Sequence, residues 1–483
     1  MGGTPSIRRT VDLGAGVLAV LALLTWPGSA AAATIKVTNR NNAGPGSLRR
    51  ALAVAKDGDT IIVPAGTYKL TGQLVIKPSV TVTGAGAGKT VLTAGNRSRV
   101  LDIANSAANV TLTELAVTHG QASTGAGILS FGDLILSHVI VSANLASGGS
   151  GGNLGGGIAN AGTLVIRSSW VSDNKTAQGT TEGLGAGIAD TATGGSVTIS
   201  GSVVSGNLAQ GQGLGGALYF EDTNPPNGTT ITITTTTVAN NKALGAEAFG
   251  GGIYYGADIS GSSDFPLTLT RDTFSGNVAG GGGNEGLGGA LAYEPINDGT
   301  ANLSLTMVND TLTANRAGTS TERGLGGALD YGPAVGDGPA TLNSTNVTIA
   351  RNTADGPDSF AGGVIYEPLA GSGGTASATF VNTIIALNTA ANDADCSDPI
   401  PSAGHNLETG TSCGFTGTGD LENTNPKLGQ LANNGGPTET LALLPGSPAI
   451  NAGSDAACPP IDQRGVPRPQ GSHCDIGAYE FKP

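Results

Sequence analysis

Short runs of alternating apolar and polar residues recur along most of the chain, and clusters of glycine, threonine and asparagine separate them. Runs such as "GTLVIRSSWV" indicate half-buried β-strands, and clusters such as "TAQGTTEG" indicate turns. Between Thr60 and Asn388 no segment has the periodicity of a long amphipathic helix. The pattern predicts an all-β chain.

Two marks repeat through this region. One is a glycine-rich triplet before an aliphatic residue, as in "GGGI" ending at Ile158 and "GGAL" ending at Leu218. The other is an asparagine that closes a short β-like run, and successive asparagines lie 30 to 38 residues apart. This irregular spacing is typical of a solenoid whose rungs share strands and differ in their loops. The asparagines are Asn144, Asn174, Asn207, Asn241, Asn277, Asn315, Asn352 and Asn388.

A parallel solenoid gives each mark a physical role. Asparagine tolerates the left-handed backbone conformation and bonds to nearby backbone, so one per rung predicts a corner with a ladder of stacked amides. The glycines allow a second tight corner, after which the aliphatic residue is predicted to point inward.

Both ends of the stack need closure, because open parallel edges expose unpaired backbone groups. "GSLRRALAVAKDGDTI" predicts a short N-terminal capping helix with Ser47 as its N-cap. After Asn388 the composition shifts towards proline, asparagine and cysteine, which predicts an irregular C-terminal cap pinned by disulfides.

The first 33 residues are typical of a secretory signal peptide, since Arg8 and Arg9 precede the apolar run "LGAGVLAVLALL" and small residues follow. The predicted domains are therefore a signal peptide (1–33), a repeat domain (34–389) and a cap (390–483). Export favours disulfides over a zinc site, and no CxxC spacing occurs. Three connectivities are open, and pairing in chain order is favoured. The cysteines are Cys396, Cys413, Cys458 and Cys474.

The chain is acidic, with 36 Asp and Glu against 23 Lys and Arg and a formal charge of −13. This balance argues against nucleic acid and anionic membranes as partners, and more weakly against polyanionic sugars. No segment after the signal is long and apolar enough to cross a bilayer, so the mature chain is expected to lack an integral membrane segment. We expect a monomer, and the sequence indicates no cofactor and no metal site.

Several motifs resemble those of a known superfamily. "GDTIIVPAGTY", the recurring "GGA[IL]" and the asparagine-closed runs resemble right-handed parallel β-helix proteins of the pectin-lyase-like superfamily. They are similar in particular to polymorphic outer-membrane protein repeats, whose marks are "GGAI" and "FxxN"; "DTFSGN" matches the second from Phe274 to Asn277. The tail "NPKLGQLANNGGPTETLALLPGSPAINAG" with "CDIGAYEF" resembles the C-terminal region of bacterial choice-of-anchor Q surface proteins. The resemblance implies a right-handed parallel β-helix in a secreted, extracellular or cell-surface bacterial protein.

Proteins with the pectin-lyase-like fold include lyases and glycosidases, but this chain lacks their motifs. A Ca²⁺-dependent lyase would need clustered aspartates with a Lys or Arg base, and a polygalacturonase would show "NTD", "GHG" and "RIK". No catalytic residue is therefore assigned. A carboxylate pair could still assemble across rungs, from residues such as Glu294 and Asp330.

A speculative ligand-binding stripe follows the glycine triplets. Equivalent positions of a solenoid align along its axis, so recurring tyrosines and glutamates could grip a neutral or basic polysaccharide. The alternative is that stacked aromatics only stabilise the sheet. The predicted stripe comprises Tyr219, Tyr255, Tyr293, Tyr331, Tyr366, Glu221, Glu294 and Glu367.

A second series of acidic residues precedes the glycine triplets. These residues could offer Ca²⁺ ligands on loop tips, or they could simply be solvated charges on loops. Solvated charges are favoured, because the dense Asp-x-Asp spacing of Ca²⁺ sites is missing. Its members are Glu182, Glu247, Glu285, Glu322 and Asp358.

These observations lead to two functional predictions. The first is a secreted or surface-associated non-catalytic β-helix that binds polysaccharides or other cell-surface molecules, or acts as a spacer. The alternative is a polysaccharide lyase or glycoside hydrolase with a site assembled across rungs.

Overall fold

Successive rungs of the chain stack into a right-handed parallel β-helix in this computed structural model, which describes residues 32–177, 182–191, 195–370 and 373–483. Strands keep their register from rung to rung, so that Ile231 pairs with Leu267 and Leu267 pairs with Leu305. The predicted fold class is confirmed. The predicted signal peptide lies outside the described residues, apart from its last two positions.

Three long parallel sheets form the walls of the described rungs. Sheet I contains Thr34–Lys36, Thr60–Ile62, Val80–Thr83, Asn109–Thr113, Asp133–Ser137, Leu164–Arg167, Val197–Ser200, Ile231–Thr234, Leu267–Thr270, Leu303–Val308, Pro339–Thr345 and Thr375–Val381. Sheet II contains Gly66–Lys69, Thr90–Thr93, Ala116–Thr118, Ile140–Ser142, Trp170–Ser172, Val203–Ser205, Thr237–Ala239, Thr273–Ser275, Thr311–Thr313, Thr348–Ala350, Ile384–Ala386 and Leu407–Glu408. Sheet III contains Leu74–Ile76, Leu101–Ile103, Ile128–Ser130, Ile158–Asn160, Ile188–Asp190, Leu218–Phe220, Ile253–Tyr255, Leu291–Tyr293, Leu329–Tyr331 and Val364–Tyr366.

Shorter strands connect these walls. Sheet IV lies between sheets II and III and has an inner arm and an outer arm, joined by the long strand Leu208–Leu214. The other inner-arm strands are Gln121–Ala122, Leu145–Ala146, Lys175–Thr176, Lys242–Gly245, Val278–Ala279, Arg316–Ala317 and Thr353–Ala354. The outer arm adds Asn153–Leu154, Glu182–Leu184, Glu247–Phe249, Glu285–Leu287 and Arg323–Leu325. Sheet V follows sheet III and contains Asp258–Ile259, Ile296–Asn297, Ala334–Val335 and Leu369–Ala370.

The alternation of residue types places the core. In Ile231–Thr234 ("ITIT") and Leu267–Thr270 ("LTLT") the aliphatic residues are buried and the threonines are part-exposed. Because like positions align in every rung, the buried aliphatic side chains form one continuous cluster inside the solenoid.

The eight asparagines form a ladder along one corner. From Asn174 onwards, each amide oxygen accepts the side-chain N–H of the asparagine one rung before it at 2.9–3.0 Å, as from Asn241 to Asn277 and from Asn277 to Asn315. The same oxygens accept the backbone N–H of the preceding asparagine. The residue with the left-handed backbone at this corner is the one before each asparagine, for example Asp173 (φ 56°). The expectation that the asparagine itself adopts this conformation was wrong. The members are Asn144, Asn174, Asn207, Asn241, Asn277, Asn315, Asn352 and Asn388.

The glycine triplets form the corner between the outer arm and sheet III. The first glycine of a triplet has a left-handed backbone, as at Gly288 (φ 58°). A Cβ added there would lie 2.3 Å from the Leu291 carbonyl oxygen, so no other residue fits without strain. Leu291 then points into the core.

Each end of the solenoid is closed by its own segment. The N-terminal helix spans Leu48–Val54, and the Ser47 hydroxyl accepts a hydrogen bond from the Arg50 N–H at 3.2 Å. At the other end Cys396 pairs with Cys413 and Cys458 pairs with Cys474, which confirms the disulfides and their pairing in chain order.

The last part of the chain also covers a side wall. An antiparallel hairpin of Leu428–Ala432 and Thr440–Leu443 leads into a segment that lies on the outer face of sheet II. Gln463 donates to the Thr273 hydroxyl at 2.9 Å and accepts from the Thr311 hydroxyl at 2.6 Å. The segment includes the 3₁₀ turn Asp455–Ala457 and a fully buried ion pair between Arg468 and Glu480 at 3.0 Å.

Candidate functional site

The outer arm of sheet IV meets sheet III on the outside of the solenoid, at the glycine corner. Outward side chains of the two sheets pack against each other there, as Leu184 does with Tyr219. Tyr219 stacks on Tyr254 at 5.5 Å, and Phe249 lies 6.2 Å from Tyr254. We call this surface the outer groove. Its charged residues are Glu182, Glu221, Glu247, Glu285, Glu294, Arg323, Asp330 and Glu367.

The rim of the groove beside sheet III alternates between glutamate and glycine. Strand register aligns the residues that directly follow sheet III, and the backbone N–H groups of these residues bond to the preceding rung. Adjacent rungs are about 4.8 Å apart, so the glutamates recur about every 9.6 Å. The aligned positions are Glu221, Gly256, Glu294, Gly332 and Glu367.

One of these glycines makes room for a neighbouring side chain. A Cβ added at Gly256 would lie 2.4 Å from the Tyr254 hydroxyl, so the ring lies over the glycine backbone. A Cβ at Gly332 would lie 4.0 Å from Cγ of Glu294, an ordinary van der Waals contact, which places that glutamate beside the next rung. Glycine is therefore required at position 256, where the Tyr254 ring occupies the space of a side chain.

Glu294 and Asp330 form a carboxyl pair across two adjacent rungs, and each affects the pKa of the other. Asp330 is 3% exposed, and its Oδ2 atom has no hydrogen-bond partner. Burial, then the charge and hydrogen bond of Glu294, raise the pKa of Asp330 well above its ordinary value. Burial also raises the pKa of Glu294, and the bond to Asp330 opposes that rise. The pair therefore holds a proton, chiefly on Asp330, with Glu294 as the partner carboxylate.

A different carboxylate faces this pair from the opposite wall. Glu285 begins an outer-arm strand, and its charge acts on both Asp330 and Glu294. The Arg323 guanidinium, one rung on, lies 3.7 Å from the Glu285 carboxylate. A cation at this distance favours the ionised form of a carboxylate. The groove thus sets the buried Asp330 carboxyl against a carboxylate that is ion-paired with Arg323.

Further carboxylates surround Tyr254. Burial raises the pKa of this tyrosine, and the charges of Glu294, Glu221, Asp330 and Glu182 raise it further. The Tyr254 hydroxyl is therefore a neutral donor over a wide pH range. Tyr219 donates to Glu221 beside it.

The predicted tyrosine stripe is corrected by the direction of the side chains. Tyr255, Tyr293 and Tyr331 are fully buried inside the solenoid, and their rings stack at 4.6 and 5.4 Å. Tyr366 continues this stack at 5.9 Å, and Tyr219 points outward but is only 2% exposed. The rings therefore stabilise the sheet, and the glutamates of the predicted stripe are the members that line the outer groove.

The second acidic series does not lie on loop tips as a set. Glu182, Glu247 and Glu285 each begin an outer-arm strand, and Glu322 is buried and accepts the Gly281 N–H at 2.6 Å. Within the described ranges, no group of three or more His, Cys, Asp or Glu residues has an arrangement that could hold a metal ion.

Two further buried carboxyls lie inside the solenoid and not in the groove. Asp190 accepts the Asn160 amide N–H at 2.7 Å, and burial raises its pKa to about 7. Burial raises the pKa of Asp222 to about 6, and neither of its carboxylate oxygens has a hydrogen-bond partner. Both carboxyls face the interior, where Asp222 lies near Asp190 and the buried ring of Tyr255, so they do not line the outer groove.

Sequence reasoning missed Tyr254 and the distinct role of Glu285. Ile253 points inward, so alternation predicts that Tyr254 points outward and Tyr255 inward. The pairing of Glu285 with Arg323 depends on the register between two outer-arm strands, which could not be predicted from the sequence alone.

Comparison with known proteins finds similarity only among solved structures. No family model and no curated protein matches the chain. Among solved structures it is similar to pectate lyase Pel9A (14% identity, TM-score 0.39, covering 94% of this chain and 97% of that one). It is also similar to a mannuronic acid specific family 6 lyase from human gut microbiota (13%, 0.33, 80% and 90%) and to the PL6 family alginate lyase AlyGC (15%, 0.38, 92% and 58%). The parallel β-helix itself is shown by the strand pairing of this chain.

The first functional prediction is corrected. The chain was expected to be a non-catalytic binding protein or spacer, whereas the three similar structures are named as polysaccharide lyases. The burial of the tyrosine stripe also removes the observation on which that prediction depended. No helix in the described part of the chain is long and apolar enough to span a membrane.

Proposed function

We propose that the protein is a polysaccharide-cleaving enzyme whose reaction takes place in the outer groove. The observation that carries the proposal is geometric: the buried carboxyl of Asp330 lies beside that of Glu294 across two rungs, opposite a Glu285 carboxylate that is ion-paired with Arg323. Glycoside hydrolysis needs one carboxyl group kept protonated and a second kept ionised, with the scissile bond between them.

Each residue has a chemical role in this proposal. Asp330 donates its proton to the glycosidic oxygen as the C1–O bond breaks. Glu285 takes a proton from the water that attacks C1, so one water is consumed and one new reducing end forms. Glu294 is a positioning residue, which keeps the proton on Asp330. Asp330 regains a proton from solvent after each turnover.

Elimination would leave a different product. A lyase forms an unsaturated sugar end and consumes no water, and it needs an acidic proton beside a uronate carboxylate. The carboxylates that crowd the groove disfavour a uronate, so hydrolysis is the reaction proposed.

Location and domain organisation are part of the same proposal. We propose that residues 1–33 direct export, that the protein acts outside the cell or at its surface, and that residues 34–389 and 390–483 are the repeat domain and cap. The two disulfides support an oxidising compartment. The polymorphic outer-membrane protein and choice-of-anchor Q resemblances point to the same location.

The test is a screen of the purified full chain on neutral, amino-sugar and uronate polymers, with new reducing ends and ultraviolet-absorbing unsaturated ends measured in parallel. We expect reducing ends without unsaturation, and a loss of about 100-fold or more in rate for Asp330→Asn. Glu439→Gln is the matched control, since Glu439 is exposed on the C-terminal hairpin, which packs on sheet II. Absence of cleavage on every polymer, or full activity of Asp330→Asn, would overturn the proposal.

A further inference from the structure

The outer groove carries a regular pattern of charge along the solenoid axis. Glu221, Glu294 and Glu367 recur at every second rung, with Gly256 and Gly332 between them. Their spacing of about 9.6 Å is close to the length of two sugar units in an extended linear chain. A polymer lying along the groove would therefore meet a carboxylate once per disaccharide.

The groove also combines this charge with apolar surface. Leu214, Phe249 and Leu287 line the outer-arm wall, and Tyr254 lies at the base. Beyond the glutamate rim, Ile296 (46% exposed) and Leu369 (68% exposed) form an apolar lip. Apolar and aromatic side chains of this kind pack on the faces of sugar rings.

The charge of the groove selects among sugars. Among its described residues Glu182, Glu221, Glu247, Glu285, Glu294 and Glu367 are acidic, whereas Arg323 is basic and already engaged with Glu285. A uronate carboxylate placed among these groups would be repelled, whereas an ammonium group would be attracted. At the centre, the Oδ2 atom of Asp330 is buried without a hydrogen-bond partner and adds one more polar group to the groove.

We propose that the ligand of the outer groove is a linear amino-sugar polysaccharide with free amino groups, lying along the solenoid axis with one disaccharide per two rungs. Each glutamate of the rim accepts hydrogen bonds from an ammonium group or a hydroxyl of every second sugar. This inference deepens the proposed function and depends on it for the reaction, but not for binding.

The test separates binding from cleavage. Asp330→Asn, which is expected to bind without turnover, is titrated with chitosan hexamer, with the fully N-acetylated hexamer and with an oligouronate of equal length. We expect binding of the chitosan hexamer, with affinity falling as salt rises, and at least tenfold weaker binding of the other two. Equal binding of the N-acetylated hexamer, or preference for the oligouronate, would overturn the inference.

Single substitutions test the two-rung spacing. In the otherwise wild-type chain Glu221→Gln and Glu367→Gln should each raise KM for chitosan by roughly tenfold with little change in kcat, because they act two rungs from Glu294. Glu439→Gln, an exposed glutamate on the C-terminal hairpin, is the matched control. Unchanged KM in both groove variants would contradict the spacing.

The outcomes of the two proposals can be told apart. Cleavage of a uronate polymer but not of chitosan would sink the amino-sugar inference and leave polysaccharide cleavage standing. Selective binding of the chitosan hexamer with no cleavage of any polymer would sink the proposed reaction and leave the inference on the ligand standing.

Discussion

The carboxyl groups of Glu294 and Asp330 meet across adjacent rungs, although 36 positions separate the two residues in the chain. Glu294 lies beside the next rung, where a Cβ added at the aligned Gly332 would be 4.0 Å from Cγ of Glu294, an ordinary van der Waals contact. The pair thus depends on the register of two strands.

The pair predicts how activity depends on pH. Burial and Glu294 raise the pKa of Asp330, so the acid stays protonated at pH values where an ordinary aspartate is ionised. Glu294→Gln removes one negative charge beside Asp330 and should lower the pKa of Asp330. The fall in activity at alkaline pH should therefore begin at a lower pH than in the wild type. Rates measured from pH 4 to 10 check this, with Glu439→Gln as the control. An unchanged alkaline limb would contradict the role given to Glu294.

Stability should fall as pH rises, partly through Asp190. Its folded pKa of about 7 lies above its ordinary value of 3.8, so its contribution is present at acidic pH and is lost as pH rises through 7. It faces Asn160 and Asp222 inside the solenoid. Asp190→Asn should therefore stabilise the protein by about 2–4 kcal/mol at pH 8 and have little effect at pH 4.

Denaturant unfolding at both pH values measures this effect. Exposed Asp337→Asn is the control and should leave the pH dependence unchanged. A wild-type protein that is more stable at pH 8 than at pH 5, and unaffected by Asp190→Asn, would contradict the argument.

The asparagine ladder should contribute measurably to stability. Asn277→Ala leaves the Asn241 N–H and the Val238 carbonyl without partners inside the protein, which should cost about 1–3 kcal/mol. Asn343→Ala, on the exposed face of sheet I, should change the free energy of unfolding by less than about 0.5 kcal/mol. Equal melting temperatures of the two variants would count against the ladder.

The buried ion pair should hold the C-terminal segment on sheet II. Both Arg468 and Glu480 side chains are 0% exposed, so Glu480→Gln leaves a buried guanidinium without its counter-charge and should cost about 3–5 kcal/mol. Limited proteolysis should then cut the segment after Leu443 sooner than in the wild type. Asp355→Asn, which breaks the exposed pair with Arg316, should cost about 1 kcal/mol or less. Equal proteolysis of both variants would contradict this account.

The periodic parts of the fold were predictable from the sequence. The spacing of residues such as Asn277 and Leu291 indicates a solenoid, because each rung repeats the same corner and the same inward position. The path of the C-terminal segment was not predictable, since Gln463 and Arg468 make contacts more than 150 residues back along the chain.

The site was predictable only in part. The errors follow from whether a residue lies an odd or an even number of positions after the inward aliphatic residue. Glu221 and Glu294 point outward and line the groove, but Tyr255 and Tyr293 lie an even number of positions after the inward aliphatic residue and therefore point inward. Counting from Ile253 would have selected Tyr254. Which outer-arm residue faces the pair depends on the corner geometry, which no local pattern encodes.

The most direct measurement is a crystal structure of the Asp330→Asn protein with a chitosan hexamer. The account predicts sugar density along the outer groove from Glu221 towards Glu367, with a glycosidic oxygen beside position 330 and the ring of Tyr254 against a sugar. Sugar bound on another face, or an outer groove that stays free of sugar at saturating hexamer, would contradict the claim that this groove is where the protein works.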